Sequence, residues 1–487
     1  MAFFYTCRLD FSAHYVPGKN MITSTSTISK VEQHLEKSVH YGDVIARLET
    51  AQVTEYSAKA VERMTRLDAA LGFISQKIDI ILVGGTNGKS LTIHFASKLF
   101  KEEGITVGEC YSSHILSYNE RICVNQHPLN NKAFSEAVAT VFAACDREHI
   151  AATAFEVTTM ASLIYFVQEG LSVALVEVSQ GGCFDATAAF AAKLVAITRV
   201  ANDNKEVLGS DLDLVSQQMV GLARPGVWVI SAEQSKLRLQ KMKEFALKND
   251  ILWAMPLRKL SALPYIYEQL YGRSASLGER IAQMYQEKVK NVFSPFLTGS
   301  SLSVRQGQRG RPTLEAKRHA VLNPVRTLKS FWTEQLDLLR GRFELLDKEK
   351  PTILLDNADN LDAIDNLLLG IRLLHYQRSL KGFVLILGVS IHIDLDEALR
   401  LIRYLLRKVS GTVFFIELPG GDASHNLQHL LRSAEMFGIN ARAFISFKEA
   451  FDEAKTMVDE RHGLIAATGS AKVVASYWRT VRDIKRF

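Results

Sequence analysis

"KIDIILVGGTNGKSLTIHFASKLF", residues 77–100, decides the fold. Its first seven residues are short, apolar and β-branched enough for a buried strand, and "GGTNG" follows as a glycine turn. Leu91, Phe95 and Leu99 then recur at i, i+4 and i+8, which predicts a helix over 89–103 with Gly104 as its stop. A glycine turn between a strand and a helix N-terminus is the setting in which backbone N–H groups hold phosphate oxygens. Gly85, Thr86, Asn87 and Gly88 would form that cradle, with Lys89 supplying positive charge and Ser90 a ligand for Mg²⁺. The common phosphate-loop pattern also wants a glycine at position 83, where this chain has Val83. On these residues alone a plain strand-to-helix turn stays open.

Working outward, "SVALVEV" (172–178), "KLVAITRV" (193–200) and "GVWVIS" (226–231) read as further buried strands between helical segments. Residues 41–75 carry helical spacing through Val44, Leu48, Val61, Met64, Leu67 and Leu71. A second alternation follows "GRFELLDKEKP", with strands expected in 352–360, 382–390, 412–418 and 463–470. The expected fold is therefore α/β, a mainly parallel sheet followed by a smaller C-terminal Rossmann-like unit. The expected division is a tail at 1–40, an ATP-binding domain at 41–346 and a C-terminal domain at 347–487. Within the second of these, 291–330 reads as a surface insertion, and its 303–329 stretch holds seven Arg/Lys against one Glu.

Composition narrows the class. With 487 residues, 47% hydrophobic and 23% charged, the chain suits two or three globular domains. A net charge of +6 is mild, and the basic stretch lacks interleaved aromatics, so no nucleic-acid partner is expected. Five scattered cysteines without a C-x-x-C pair fit a reducing compartment and no structural zinc. No apolar run approaches the ~18 residues of a membrane span, and the opening shows no secretory pattern. A cytoplasmic monomer acting on small molecules is expected. Met21 opens a polar run, so either a loose tail or a start at Met21 fits.

The hexapeptide "GTNGKS" resembles the loop of the Mur ligase superfamily, which needs no leading glycine. "YSSHILSYNERICVN" (111–125), "TAFEVTTMASLIYF" (153–166), "VEVSQGGCFDAT" (176–187), "LARPGV" (222–227), "GRFE" (341–344), "LLDNADN" (354–360) and "ATGS" (467–470) follow in order, as does the leader "VERMTRLDAALGF". Together they are similar to the folylpolyglutamate synthase and dihydrofolate synthase family. That resemblance implies a Mur-ligase-type central ATPase domain and an ATP-dependent amide ligase using Mg²⁺. The carboxylate of a folate or dihydropteroate would be activated as an acyl phosphate and then joined to L-glutamate. It further implies that Lys89 serves the phosphates and that Glu177 binds Mg²⁺ with Ser90 or Ser113. Arg342 would reach the phosphates from the inter-domain segment, and Asp356 would line the nucleotide side of the second domain. Arg121 would either steer a substrate carboxylate or form a surface ion pair.

The departures from the family pattern are as specific as the matches. Asn204 stands where the family has a metal-binding His, and Met219 where it has a lysine that forms a carbamate beside a second metal. Asp359 replaces a His and Cys183 an Arg. Asn204 still offers a carbonyl oxygen, and Asp203, Glu206 or Asp211 could restore the missing charge. Two classes of function therefore stand: a diverged ligase, for folate or for another carboxylic acid, and a nucleotide-binding pseudoenzyme or regulatory subunit.

Overall fold

The computed structural model describes residues 40–51, 58–203, 208–254, 261–298, 327–419 and 423–483. The expected tail, Asn204, Glu206 and most of the basic segment (299–326) lie outside the described residues.

Helices α1 (Tyr41–Thr50) and α2 (Ala58–Ala70) lead into β1 (Asp79–Gly84), the loop 85–88 and α3 (Lys89–Glu102). The chain continues through β2 (Val107–Cys110), β3 (Ile122–Val124), β4 (His127–Pro128), α4 (Asn131–Arg147), α5 (Ala154–Gln168) and β5 (Val173–Glu177). Then come β6 (Leu194–Ile197), α6 (Leu212–Val220), β7 (Trp228–Ser231), α7 (Lys236–Lys248), β8 (Leu252–Trp253) and α8 (Tyr265–Met284). These strands form one sheet in the order β4-β3-β2-β5-β1-β6-β7-β8, antiparallel only between β2, β3 and β4. Ile80, Ile81, Leu82 and Val83 are fully buried, as a central strand covered on both faces requires. Each such side chain contributes roughly 1.5–3 kcal/mol by leaving water. Register sets Val83 beside Glu177, so the carboxylate stands where the glycine turn begins. Beyond the carboxyl ends of such strands is where open α/β sheets bind ligands.

After α9 (Leu328–Gln335) the second sheet begins with β9 (Glu344–Leu346) and β10 (Thr352–Leu355). It continues through α10 (Leu361–Gln377), β11 (Phe383–Gly388), α11 (Leu395–Leu406), β12 (Thr412–Ile416), α12 (Leu427–Met436), β13 (Ala441–Phe444), α13 (Phe447–Met457), β14 (Leu464–Thr468) and α14 (Ala471–Thr480). Its order is β13-β12-β11-β14-β10-β9, with only β9 antiparallel. Both sheets match the expected α/β class, and each expected strand is present in shortened form. The expectation of a surface insertion over 291–330 does not hold for its described ends: Ser294 donates to Glu103 at 2.8 Å, Leu297 is buried, and α9 begins at Leu328 with Phe331 and Trp332 buried. One apolar cluster runs from Ile81, Phe95 and Leu99 through Trp332 and Phe343 to Leu354 and Ile371, joining the two halves.

Beneath α3 a carboxyl is buried at a cost. Glu109 on β2 is fully buried, accepts hydrogen bonds from the Ser97 hydroxyl and, at 3.0 Å, from Gln126 N–H, and has no partner for Oε2 among the described residues. Burial lifts it from 4.5 to about 7. A raised folded-state value means that this carboxyl stabilises the fold below pH 4.5, a contribution lost as pH rises through about 7. Glu109→Gln should therefore remove a stability difference of roughly 3 kcal/mol between acid and alkaline pH. Denaturation at pH 5 and pH 8 checks this, and an unchanged difference in the variant contradicts it.

Candidate active site

Three segments meet over the end of the first sheet: the loop 85–90, the end of β5, and the turn 341–343 ahead of the second sheet. They enclose a cavity of about 620 Å³ lined by Gly85 through Ser90, Ser112, Ser113, Glu177, Asp203, Arg342, Asp356 and Asp359 among others. All the described residues singled out for the nucleotide and the metal come together here.

The loop is shaped by its backbone. Gly85 adopts φ 116°, and a side chain there would collide with Thr198 Oγ1. Thr86 anchors the turn to the strand beside it, donating from N–H to Arg199 O at 2.8 Å while its hydroxyl accepts from Ala201 N–H at 3.0 Å. Lys89 opens α3 and folds its ammonium back over the loop, donating to Gly85 O at 3.1 Å and to Thr86 O and Ser179 O at 3.4 Å. This holds a positive charge at the N-terminus of a 14-residue helix, where anions are favoured.

Glu177 is only 3% exposed. Ser112, next to the expected Ser113, donates its hydroxyl to Glu177 Oε1 at 3.0 Å. The other oxygen, Oε2, has no hydrogen-bond partner among the described residues. A carboxylate oxygen shut from water without a partner is costly, and a cation in the cavity would remove that cost. No group of three or more His, Cys, Asp or Glu that could hold a metal occurs among the described residues. A cation here would rest on Glu177, nearby hydroxyls and the nucleotide's own phosphates, a donor set that suits Mg²⁺.

Arg342 comes from the other half. Its guanidinium donates to Asn357 Oδ1 and, at 3.3 Å, to Ser90 Oγ. Asp356 sets the turn that delivers it, accepting from Phe343 N–H at 2.6 Å and Ala358 N–H at 2.9 Å. Burial pushes the Asp356 carboxyl up to about 6. Burial also raises Asp359, which stands in the fields of Arg342 and Lys89.

A smaller cavity of about 250 Å³ adjoins the first, sharing Ser90, Ser113, Arg342 and Asn357 with it. Tyr111, His94, His114, Ile115, Gln126 and Leu339 line its far side, and the buried Tyr111 hydroxyl has no partner among the described residues. Arg121 lines neither cavity; its Nε donates to His114 Nδ1 at 2.9 Å and its guanidinium lies 4.8 Å from the Tyr118 ring centre. Met219 is fully buried and packs against Gly181, away from both cavity walls. Asp211 caps α6 through the N–H groups of Asp213 and Leu214. Sequence reasoning passed over Arg199, Asn357, Asn360 and Asp362, which also line the cavity. Only the position of the two asparagines inside "LLDNADN" hinted at them.

Lys89→Ala should weaken ATP binding about 10- to 100-fold, the scale of losing a charge-assisted contact. Gly85→Ala should lower stability by about 1–3 kcal/mol through backbone strain. Calorimetry with ATP and thermal denaturation check the pair; equal ATP binding by wild type and Lys89→Ala contradicts the loop assignment.

No family model matches the chain. It is 27% identical over 320 residues to the dihydrofolate synthase/folylpolyglutamate synthase of Bacillus subtilis, spanning 63% of this chain and 70% of that one. It is 27% identical over 372 residues to the folylpolyglutamate synthase of Lacticaseibacillus casei, spanning 74% and 81%. The bifunctional folylpolyglutamate synthase/dihydrofolate synthase of Yersinia pestis, solved with AMPPNP and Mn ion, shares the fold with a TM-score of 0.67. That match covers 91% of this chain and 98% of the other at 22% identity. The sequence likeness, the common two-sheet fold and a phosphate loop facing an arginine from the second half agree: in sequence and in fold the chain is similar to the folylpolyglutamate synthases and dihydrofolate synthases.

Proposed function

We propose that the protein is an ATP-dependent ligase that joins L-glutamate to the carboxylate of a folate or dihydropteroate through an acyl phosphate. The observation that carries this is the convergence of Lys89, Glu177 and Arg342, from three separate segments, on one cavity. Transfer of a phosphoryl group to a carboxylate needs positive charge on both sides of the moving group. Lys89 supplies one side from α3, and Arg342 the other from the turn 341–343 ahead of the second sheet. Glu177, with Ser90 or Ser113, would hold Mg²⁺, which neutralises phosphate charge when bound.

The acid's body fits the smaller cavity, where Tyr111 offers a hydroxyl in need of a partner and Ile115 and Leu339 offer apolar walls. Its carboxylate would then lie by the shared residues Ser90, Ser113 and Arg342, at the border with the nucleotide cavity. Asp359 faces the larger cavity as an acidic group suited to an incoming ammonium. The reading includes an ATP-binding part and a ligase part, the second sheet starting at β9 (Glu344–Leu346), just ahead of the expected division at 347, and a cytoplasmic monomer. No helix among the described residues is long and apolar enough to cross a membrane.

One observation favours a second reading. Met219, in the place of the family lysine, is core filler, so no carbamate forms there, and Asp211 is engaged as a helix cap. A pseudoenzyme that binds nucleotide without transferring phosphate, or a ligase for another acid, follows if nothing replaces that charge.

Phosphate release from ATP, measured with dihydropteroate or a reduced folate plus glutamate, separates these readings. The ligase reading expects release that needs acid and amine together, and Arg342→Ala should slow it by about 10²-fold or more. ATP binding without phosphate release for any acid and amine would overturn the reading in favour of the pseudoenzyme.

A further inference from the structure

The two halves are joined at the phosphate loop itself by residues that the proposed chemistry does not use. Asn87 sits between Thr86 and Gly88, and both hydrogens of its side-chain amide point into the second half. One is donated to Asn360 Oδ1 at 3.0 Å and the other to Asp362 Oδ2 at 2.9 Å. Asn360 Nδ2 donates back to Asn87 Oδ1 at 3.1 Å, closing a reciprocal amide pair. Asp362 then takes an ion pair from Arg199 at 2.8 Å. Arg199 belongs to the same wall as the loop, since its carbonyl accepts the Thr86 N–H and it bridges to Asn87 along the backbone.

Asn360 also caps α10, its Oδ1 accepting from Ala363 N–H at 3.0 Å. The amide pair therefore clamps the N-terminus of one helix onto the glycine turn that starts another. Asp362 is 15% exposed and Arg199 54% exposed, so the amide pair, with Asn360 buried, is the stronger element. From Asp356, which fixes the Arg342 turn, to Asn360 is only four residues of chain. Whatever holds α10 on the loop thus also holds Arg342 over it.

We infer that Asn87, Asn360, Asp362 and Arg199 form a closure latch, a set of positioning residues that registers docking of the second half on the phosphate loop and keeps Arg342 in place. Its part in turnover rests on the ligase reading; its part in closure does not. A loosened latch leaves the loop's own N–H groups and Lys89 free to bind nucleotide, while the arginine loses its seat.

Two variants cut the latch without removing the helix cap. Asn360→Asp keeps an oxygen for Ala363 N–H, since Asp caps as well as Asn, but sets an oxygen against Asn87 Oδ1. Arg199→Gln removes the ion pair, and Arg199→Lys keeps its charge. Spin labels on cysteines placed at the exposed Lys243 and Lys448 of the full chain, with Cys7→Ser, report the distance between the halves. The expected result is a longer, broader distance for Asn360→Asp and Arg199→Gln and wild-type behaviour for Arg199→Lys, with AMPPNP affinity falling far less than it does for Lys89→Ala. If wild type turns over, the two cutting variants should lose on the order of 10²-fold in kcat, as for a small misplacement of a catalytic group. An unchanged distance overturns the latch, and with lost AMPPNP affinity it assigns these residues to nucleotide binding. A changed distance with full kcat overturns the positioning role. A changed distance in a protein that never turns over supports the latch and removes the ligase reading alone.

Discussion

The hydrogen bond from Phe343 N–H to Asp356, 2.6 Å long, is the contact on which the site's geometry turns. Phe343 is held at φ 46° and Gly341 at φ 67°, so the chain doubles back sharply on either side of Arg342. Asn357 N–H closes the turn on Gly341 O at 3.0 Å. The Phe343 ring is buried against Gly370 of α10 so closely that a side chain at 370 would collide with it. The arginine is thereby presented as a rigid projection of the second half rather than as a loose linker residue. Asp356 bears the cost of this arrangement as a buried carboxyl pushed up to about 6. Structures commonly concentrate such strain and burial at sites of action.

Much of this was legible in the residue pattern, because it is local. "KIDIILV" is a run that only a covered strand tolerates, and β1 occupies 79–84. The amphipathic spacing after Lys89 gave a helix that ends at Glu102, followed by Gly104 at φ 71°. The short strands 107–110, 122–124, 344–346 and 441–444 were not read, since three or four residues carry too little alternation to stand out. Helix α9 went unread as well because its first residues, Leu328 and Lys329, belong to the basic stretch, although Phe331 and Trp332 hold it to the core.

What could not be read were contacts between residues hundreds of positions apart. Asn87 and Asn360 are separated by 273 residues, and nothing in either neighbourhood announces the other. Ser112 rather than Ser113 donates to Glu177, a choice fixed by the first residues of the loop that leaves β2. Met219 shows the reverse case. Its identity alone excluded a carbamate, and its full burial against Gly181 gives it a packing role instead. A lysine at that position would bring an ammonium into an apolar cluster that includes Val176, Val178 and Leu222, at the cost of burying a charge.

The most direct test of the central claim, that two halves build one nucleotide site, is a crystal structure with Mn²⁺ and AMPPNP, the metal located by its anomalous scattering. The account requires the triphosphate on the N–H groups of residues 85–90, the Arg342 guanidinium at the γ-phosphate, and Mn²⁺ bonded to Glu177. A nucleotide bound elsewhere, or one on the loop with Arg342 turned away and the metal remote from Glu177, would contradict it.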